Sequence, residues 1–221
     1  MKYDLTQARK CIETLDKRRF DRALLGSGDA FRHIVSLVPL LLHLNHPALP
    51  GYVEDAPAGV ADFTLSNYQQ NFLSKEYPEL VEAVQSAINS DAVFAPILGI
   101  YVMGSFGSIS QTSASDLDIW ICHQDDLSEQ DQHRLAEKTK KISQWASTYH
   151  VEMHFYLMTQ QRFRNERYSD PLTKENSGSA QYMLLLEEFY RSAVRLAGKP
   201  LLWLHLWVED EKQYEAEVSR L

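Results

Sequence analysis

The sequence predicts an α+β fold: a small mixed sheet flanked by helices and entered through a helical lead-in. Three observations carry this. Residues 97–103 form an apolar run of the length of one buried strand. Residues 116–122 and 151–158 alternate with period two, as strands with two different faces do. Ahead of them, residues 4–44 keep a helical spacing, with Leu5, Ala8, Ile12, Leu15 and Phe20 on one face. Two regions are expected, a helical 1–90 packing on a core of 91–221.

A second helical face runs from Phe31 to Leu42, after a turn at 26–29 in which Ser27 or Asp29 is placed as a cap. Pro47 and Pro50-Gly51 stop that helix. His43 and His46 lie close together without further ligand candidates, so packing and hydrogen bonding explain them better than metal. A Pro/Gly-rich connector covers 47–62, and a short strand is expected at 63–65. Ser66 reads as the N-cap of a helix through Lys75, and another short helix is expected over 78–89.

Beyond the second strand, Asp125 opens a long helix to about Tyr149, with Ser128 as its cap and Leu135, Ile142 and Trp145 on its apolar face. A basic loop follows the third strand at 160–178. An apolar helix is expected over 181–197, with Gly198 at its C′ position. Residues 200–208 read as a strand and 209–221 as an acidic helix without a stop signal, so the natural chain is expected to continue.

Composition narrows the class of function. The 221 residues are 44% hydrophobic and 24% charged, as in an ordinary globular protein. A net charge of −8 argues against a protein that coats nucleic acid. Cys11 and Cys122 are too few for a disulfide framework or a zinc knuckle, which points to a reducing cytoplasm. The first residues lack the apolar core of a signal peptide, and the apolar stretch 34–44 is too short to span a bilayer.

The chemistry gathers in residues 101–122. Gly104-Ser105 is a tight turn after the first strand, where backbone N–H groups and a hydroxyl can meet phosphate; the expected helix after it would add its positive end. Asp116 and Asp118 share one face of the second strand, above Leu117, Ile119 and Ile121. Two adjacent carboxylates repel each other, a cost relieved by a cation between them. Trp120 has the same parity, so lining the site and plugging the sheet both remain open for it.

Gly104-Ser105 followed by Asp116-Leu-Asp118 on a strand resembles the nucleotidyltransferase superfamily that includes DNA polymerase beta. That resemblance implies two divalent cations, Mg²⁺ or Mn²⁺, and a third carboxylate from the adjacent strand. Glu152 fits that place, with Asp125 or Asp126 as the alternative. Candidate phosphate contacts are Ser105, Ser115 and the cations Arg162, Arg164, Arg167, Lys174, Arg191, Arg195 and Lys199, of which Lys199 is favoured.

Three runs sharpen the resemblance: residues 41–52, the core 101–123 with its Gly-Ser-Phe-Gly-Ser turn, and residues 184–199. With them the whole chain resembles the class I adenylate cyclases of enterobacteria. The resemblance implies ATP as substrate, cyclic AMP and pyrophosphate as products, and a regulatory region beyond residue 221. Asp116, Asp118 and Glu152 would be the metal ligands and catalytic residues, with Gly104, Ser105, Ser115, Arg195 and Lys199 on the substrate. Relatives often carry Ser and Thr after the Gly-Ser, so Phe106 departs from the pattern. The same metal ligands would also serve a nucleotidyltransferase with a separate acceptor.

Overall fold

The structure, a computed structural model, describes residues 5–82, 84, 85, 95–112, 115–159, 189, 191–200, 212, 213 and 216. The elements in chain order are α1 (Leu5–Leu25), α2 (Asp29–His43), α3 (Asn67–Glu76), a 3₁₀ turn (Pro78–Leu80), β1 (Ile97–Met103), β2 (Leu117–His123), α4 (Glu129–Ser147), β3 (Met153–Thr159) and β4 (Val194–Gly198). The fold is α+β, with a mixed four-stranded sheet in the order β3-β2-β1-β4. β1 pairs antiparallel with both β2 and β4, while β2 and β3 run parallel, joined through α4.

Both sheet faces are covered, which is why β1 reads as an unbroken apolar run. On one face Ile100, Val102, Leu117, Ile119, Ile121 and Val194 share a core with Ile34, Leu37, Leu41 and Leu42 of α2 and with Leu135 and Ile142 of α4. On the other, Tyr101, Met103, Trp120, Cys122 and Met158 pack with Phe189. α2 buries eight residues, so it belongs to the core that supports the sheet.

Caps confirm some expected helix starts and correct one. Ser66 and Gln69 form a reciprocal capping box at α3, and the Ser128 hydroxyl accepts the Asp131 N–H at α4. α2 instead starts from Gly28 without a side-chain cap. Ser27 is occupied elsewhere: its hydroxyl donates to the Ala23 carbonyl and accepts from Gln111 Nε2. The short strand expected at 63–65 does not form; Val60 makes a lone bridge to Ile97, and Phe63 stacks on His43 at 4.1 Å. Burial pushes the His43 imidazole down to about 4, and its Nδ1 accepts the Val60 N–H. His46 Nδ1 accepts the Ala48 N–H, so both histidines hold local backbone.

The largest correction concerns the last helix. Residues 194–198 are β4, and helical structure among the described residues of that segment stops at Ser192. Without β4 the outer edge of β1 would leave its N–H and C=O groups unpaired, and that demand outweighs local helical spacing. The helix expected over 78–89 begins with the 3₁₀ turn, and Val81, Glu82, Val84 and Gln85 are helical. The expectations for 160–178 and 200–208 lie outside the described residues, as does most of 209–221.

Lys138 on α4 is 1% exposed, and its Nζ donates to Leu44 O at 2.7 Å and Asn45 Oδ1 at 3.2 Å. Asn45 in turn holds Val53 through both its amide atoms. The ammonium therefore sits at the C-terminal end of α2, where the helix dipole favours a cation. Burial lowers its pKa from 10.5 to about 8. The unfolded chain holds this proton more tightly, so the penalty is full below pH about 8 and disappears as pH rises to 10.5. Lys138→Met is expected to abolish this rise of stability with pH. It also removes the ammonium donor from the Leu44 carbonyl and leaves Asn45 Oδ1 with the Val53 N–H alone, which costs about 1–3 kcal/mol below the window. Urea titrations of both proteins across the window check it; parallel pH profiles would contradict it.

Candidate active site

The β1–β2 hairpin and the parallel β2–β3 pair build one carboxylate-rich end of the sheet. Met103 lies opposite Asp118, Asp118 beside His154, and Trp120 beside Tyr156. Leu117 pairs with Met153 and its N–H donates to Glu152 O, which brings Asp116 level with Glu152. One face of β2 and β3 thus reads Asp116/Glu152, Asp118/His154, Trp120/Tyr156, passing from charged and open to aromatic and packed.

Gly104 follows β1 with φ +76°, a conformation that favours glycine, and a Cβ there would lie 4.0 Å from Asp118 Oδ2. The turn and the second aspartate therefore face each other. Asp118 is half-buried, and its Oδ1 accepts the Tyr156 hydroxyl at 3.4 Å. Burial raises its pKa above 3.8; His154 and the Tyr156 hydroxyl pull it back, and Asp116 pushes it up further. Asp116 and Glu152 are exposed, and Glu152 Oε1 lies 3.2 Å from His154 Nε2. Donor atoms of Asp116, Glu152 and His154 lie within 4.8 Å of one another, a set suited to a divalent cation.

The helix expected after Gly104-Ser105 is absent: the described residues of 104–116 are turns and irregular backbone. Serine and glutamine side chains satisfy that backbone instead, as such side chains do when they compete with a helix. The Gly107 N–H donates to Gln111 Oε1, and Ser108 Oγ accepts the Ser110 N–H. Ser115 Oγ accepts the Thr112 N–H at 2.9 Å, closing the loop ahead of Asp116. Ser105 is half-buried and its carbonyl accepts the Ser108 N–H.

Phe106 is an anchor, 2% exposed and packed against Phe20 of α1 and Phe31 of α2. Arg19 of α1 donates to Phe106 O and to the carbonyls of Ser192 and Ala193. Gly107, at φ +67°, passes so close to α1 that a Cβ would meet Arg19 O at 2.4 Å. The glycine-rich turn is thus bolted to the first two helices.

Other expected participants lie elsewhere. Lys199 donates its N–H to Leu98 O and pairs its Nζ with Asp62 at 2.9 Å. That is the far end of β1, roughly 20 Å from Gly104 at strand spacing. Arg195, opposite Tyr101, reaches Gly198 O and Glu13 and holds Asp16 through its backbone N–H. It lines a cavity of about 570 Å³ between α1, α2 and β4 that none of the carboxylate-end residues border. Asp125 and Asp126 follow the other end of β2, which removes them as alternatives to Glu152. Trp120 is 2% exposed and stacks on Phe189 at 4.8 Å, so it plugs the sheet. His154 and Tyr156 are the neighbours of Asp118 that the motif did not single out; their shared parity with Glu152 was the available signal.

A glycine turn facing carboxylates on the next strand of a small mixed sheet is the arrangement of nucleotidyltransferase-like α+β proteins, and these four strands are consistent with that class. No solved structure matches the chain. The chain belongs to the adenylate cyclase NT domain family, whose model matches residues 4–204. An adenylate cyclase of Haemophilus influenzae is 64% identical over 226 residues, covering 100% of this chain and 27% of the relative. That of Pasteurella multocida is 58% identical over 223 residues, covering 100% and 26%, and that of Escherichia coli K12 39% identical over 211 residues, covering 95% and 24%. The chain therefore spans about a quarter of the length of these relatives. No described helix is long and apolar enough to cross a membrane.

Proposed function

We propose that this chain is the catalytic N-terminal region of an adenylate cyclase, converting ATP to 3′,5′-cyclic AMP and pyrophosphate. The carrying observation is the placement of the Gly104 turn against Asp118, beside Asp116 and Glu152. Family membership and relatives named adenylate cyclase support the reaction. Asp116, Asp118 and Glu152 would hold divalent cations, Mg²⁺ or Mn²⁺; when bound, these supply charge that acidifies the 3′-hydroxyl and neutralises the departing pyrophosphate. The donor chemistry fits, because a carboxylate raised by burial beside a second one is relieved by added positive charge.

The residues themselves divide the remaining work. Gly104 and Ser105 present backbone and hydroxyl to the outer phosphates, with no side chain at Gly104 to hold them off. Tyr156 fixes the orientation of Asp118 through its hydroxyl. The 3′-oxygen forms the new bond to the α-phosphorus as the bond to the β-phosphate oxygen breaks, and the hydroxyl proton leaves through the open Asp116–Glu152 end. In this reading 1–90 is a helical platform, 91–221 the catalytic core, and the protein works in the cytoplasm. Regulation would belong to the three quarters of the relatives' length outside this region.

The test is incubation of labelled ATP with Mg²⁺ or Mn²⁺ and the polypeptide at the relatives' full length. Cyclic AMP formed without any added acceptor is expected. Label that appears only on a protein or small-molecule acceptor would replace the cyclase with a nucleotidyl transfer.

A further inference from the structure

The parallel register of β2 and β3 places His154, not Glu152, directly beside Asp118. His154 Nε2 lies 3.2 Å from Glu152 Oε1, and both lie within 4.8 Å of an Asp116 oxygen. An octahedral ion with bonds near 2.1 Å holds neighbouring ligand atoms about 3 Å apart and opposite ones about 4.2 Å apart. The His154–Glu152 spacing is therefore that of two neighbouring ligands on one ion. Asp116, within 4.8 Å of both, has to close by up to about 2 Å to take a neighbouring position, and it is exposed on the segment just ahead of β2. His154 is itself 48% exposed, so its nitrogen is accessible from the same open end.

We propose that His154 supplies a nitrogen ligand to the ion held by Asp116 and Glu152, making one metal position a mixed nitrogen–oxygen site. This rests on the metal-dependent reading of the site given above. Imidazole adds affinity for transition ions, whereas Mg²⁺ gains little over a water in the same place. The site therefore favours Mn²⁺ over Mg²⁺ more strongly than three carboxylates alone would. A plain hydrogen bond between His154 and Glu152 is the competing account, and it requires a proton on the nitrogen that the ion would occupy.

The two accounts separate by pulsed electron paramagnetic resonance of Mn²⁺ bound to the 221-residue chain. A directly bound histidine nitrogen is expected, changing its signature when histidine is labelled with ¹⁵N and vanishing in His154→Gln. That variant keeps an oxygen donor, so the chain still binds Mn²⁺, but about tenfold or more weakly, with a smaller change for Mg²⁺. Mn²⁺ bound without nitrogen coupling, or a coupling that survives His154→Gln, overturns the assignment. If instead Mn²⁺ binding is unchanged in Asp116→Asn combined with Asp118→Asn, the underlying metal reading falls as well. Loss of binding in that double variant without nitrogen coupling in the parent removes the role of His154 alone.

Discussion

In the proposed cyclase reaction, Asp118→Asn is expected to lower cyclic AMP formation at least about a thousandfold, equivalent to about 4 kcal/mol of transition-state stabilisation. It is expected at the same time to raise the melting temperature in metal-free buffer. The two effects share one cause. Asp118 is held half-buried near Asp116, and burial, the larger influence, lifts its pKa above 3.8. A carboxyl whose folded pKa exceeds its unfolded value costs the fold stability as pH rises through that interval, and the full cost stands at every pH above it. The isosteric amide removes the charge and can still accept the Tyr156 hydroxyl. Steady-state turnover and thermal melts with and without Mn²⁺ provide the check. Activity within tenfold of the parent would remove Asp118 from the site, and a lower melting temperature without metal would remove the electrostatic argument.

Gly198→Ala is expected to destabilise the fold by about 3 kcal/mol or more, through backbone strain and overpacking together. Gly198 has φ +87°, and a Cβ there would stand 2.5 Å from Leu98 O and 2.6 Å from Gly99 Cα. Those are backbone atoms, so no side-chain rotation relieves the overlap. Gly198 pairs with Gly99, and the Tyr101 ring lies across Gly99 with its hydroxyl donating to Lys199 O. The phenol fills the space that the missing side chain of Gly99 leaves in the sheet. Urea denaturation measures the loss; a midpoint equal to the parent's would show that β4 can shift without cost.

Gly198 also shows why part of the fold was hidden in the sequence. Glycine after an apolar helical pattern reads as a helix stop because it supplies positive φ, and it does supply positive φ here, at the end of a strand. The residue type reports a backbone angle and not the element that needs it. β2 and β3 are legible because Asp116-Leu-Asp-Ile and Glu152-Met-His-Phe alternate, which sets the faces directly, and β1 because its apolar run has the length of one buried strand. β4 is not, because its pairing is imposed by the open edge of β1, almost a hundred residues away in sequence.

The site divides in the same way. Gly104, Asp116, Asp118 and Glu152 follow from motif and parity, and the structure gathers them at one end of the sheet. Lys199 and Arg195 are candidates by charge alone, and charge carries no position; both pair with acidic groups elsewhere. Phe106 looked like a variation in a phosphate loop, but its burial depends on Phe20 and Phe31, which no local pattern links to it.

That anchoring makes α1 a lever. Arg19 grips Phe106 O on one side and the Ser192–Ala193 backbone on the other, while Gly107 rests on Arg19's own carbonyl. With no side chain at Gly107 to cushion the contact, a small axial slide of α1 would carry the Gly104–Gly107 turn with it. Arg19 and Gly107 thus tie the turn to α1 directly, with no intervening side chain at Gly107. Pressure on the surface of α1 would therefore be felt first at the turn that faces Asp118.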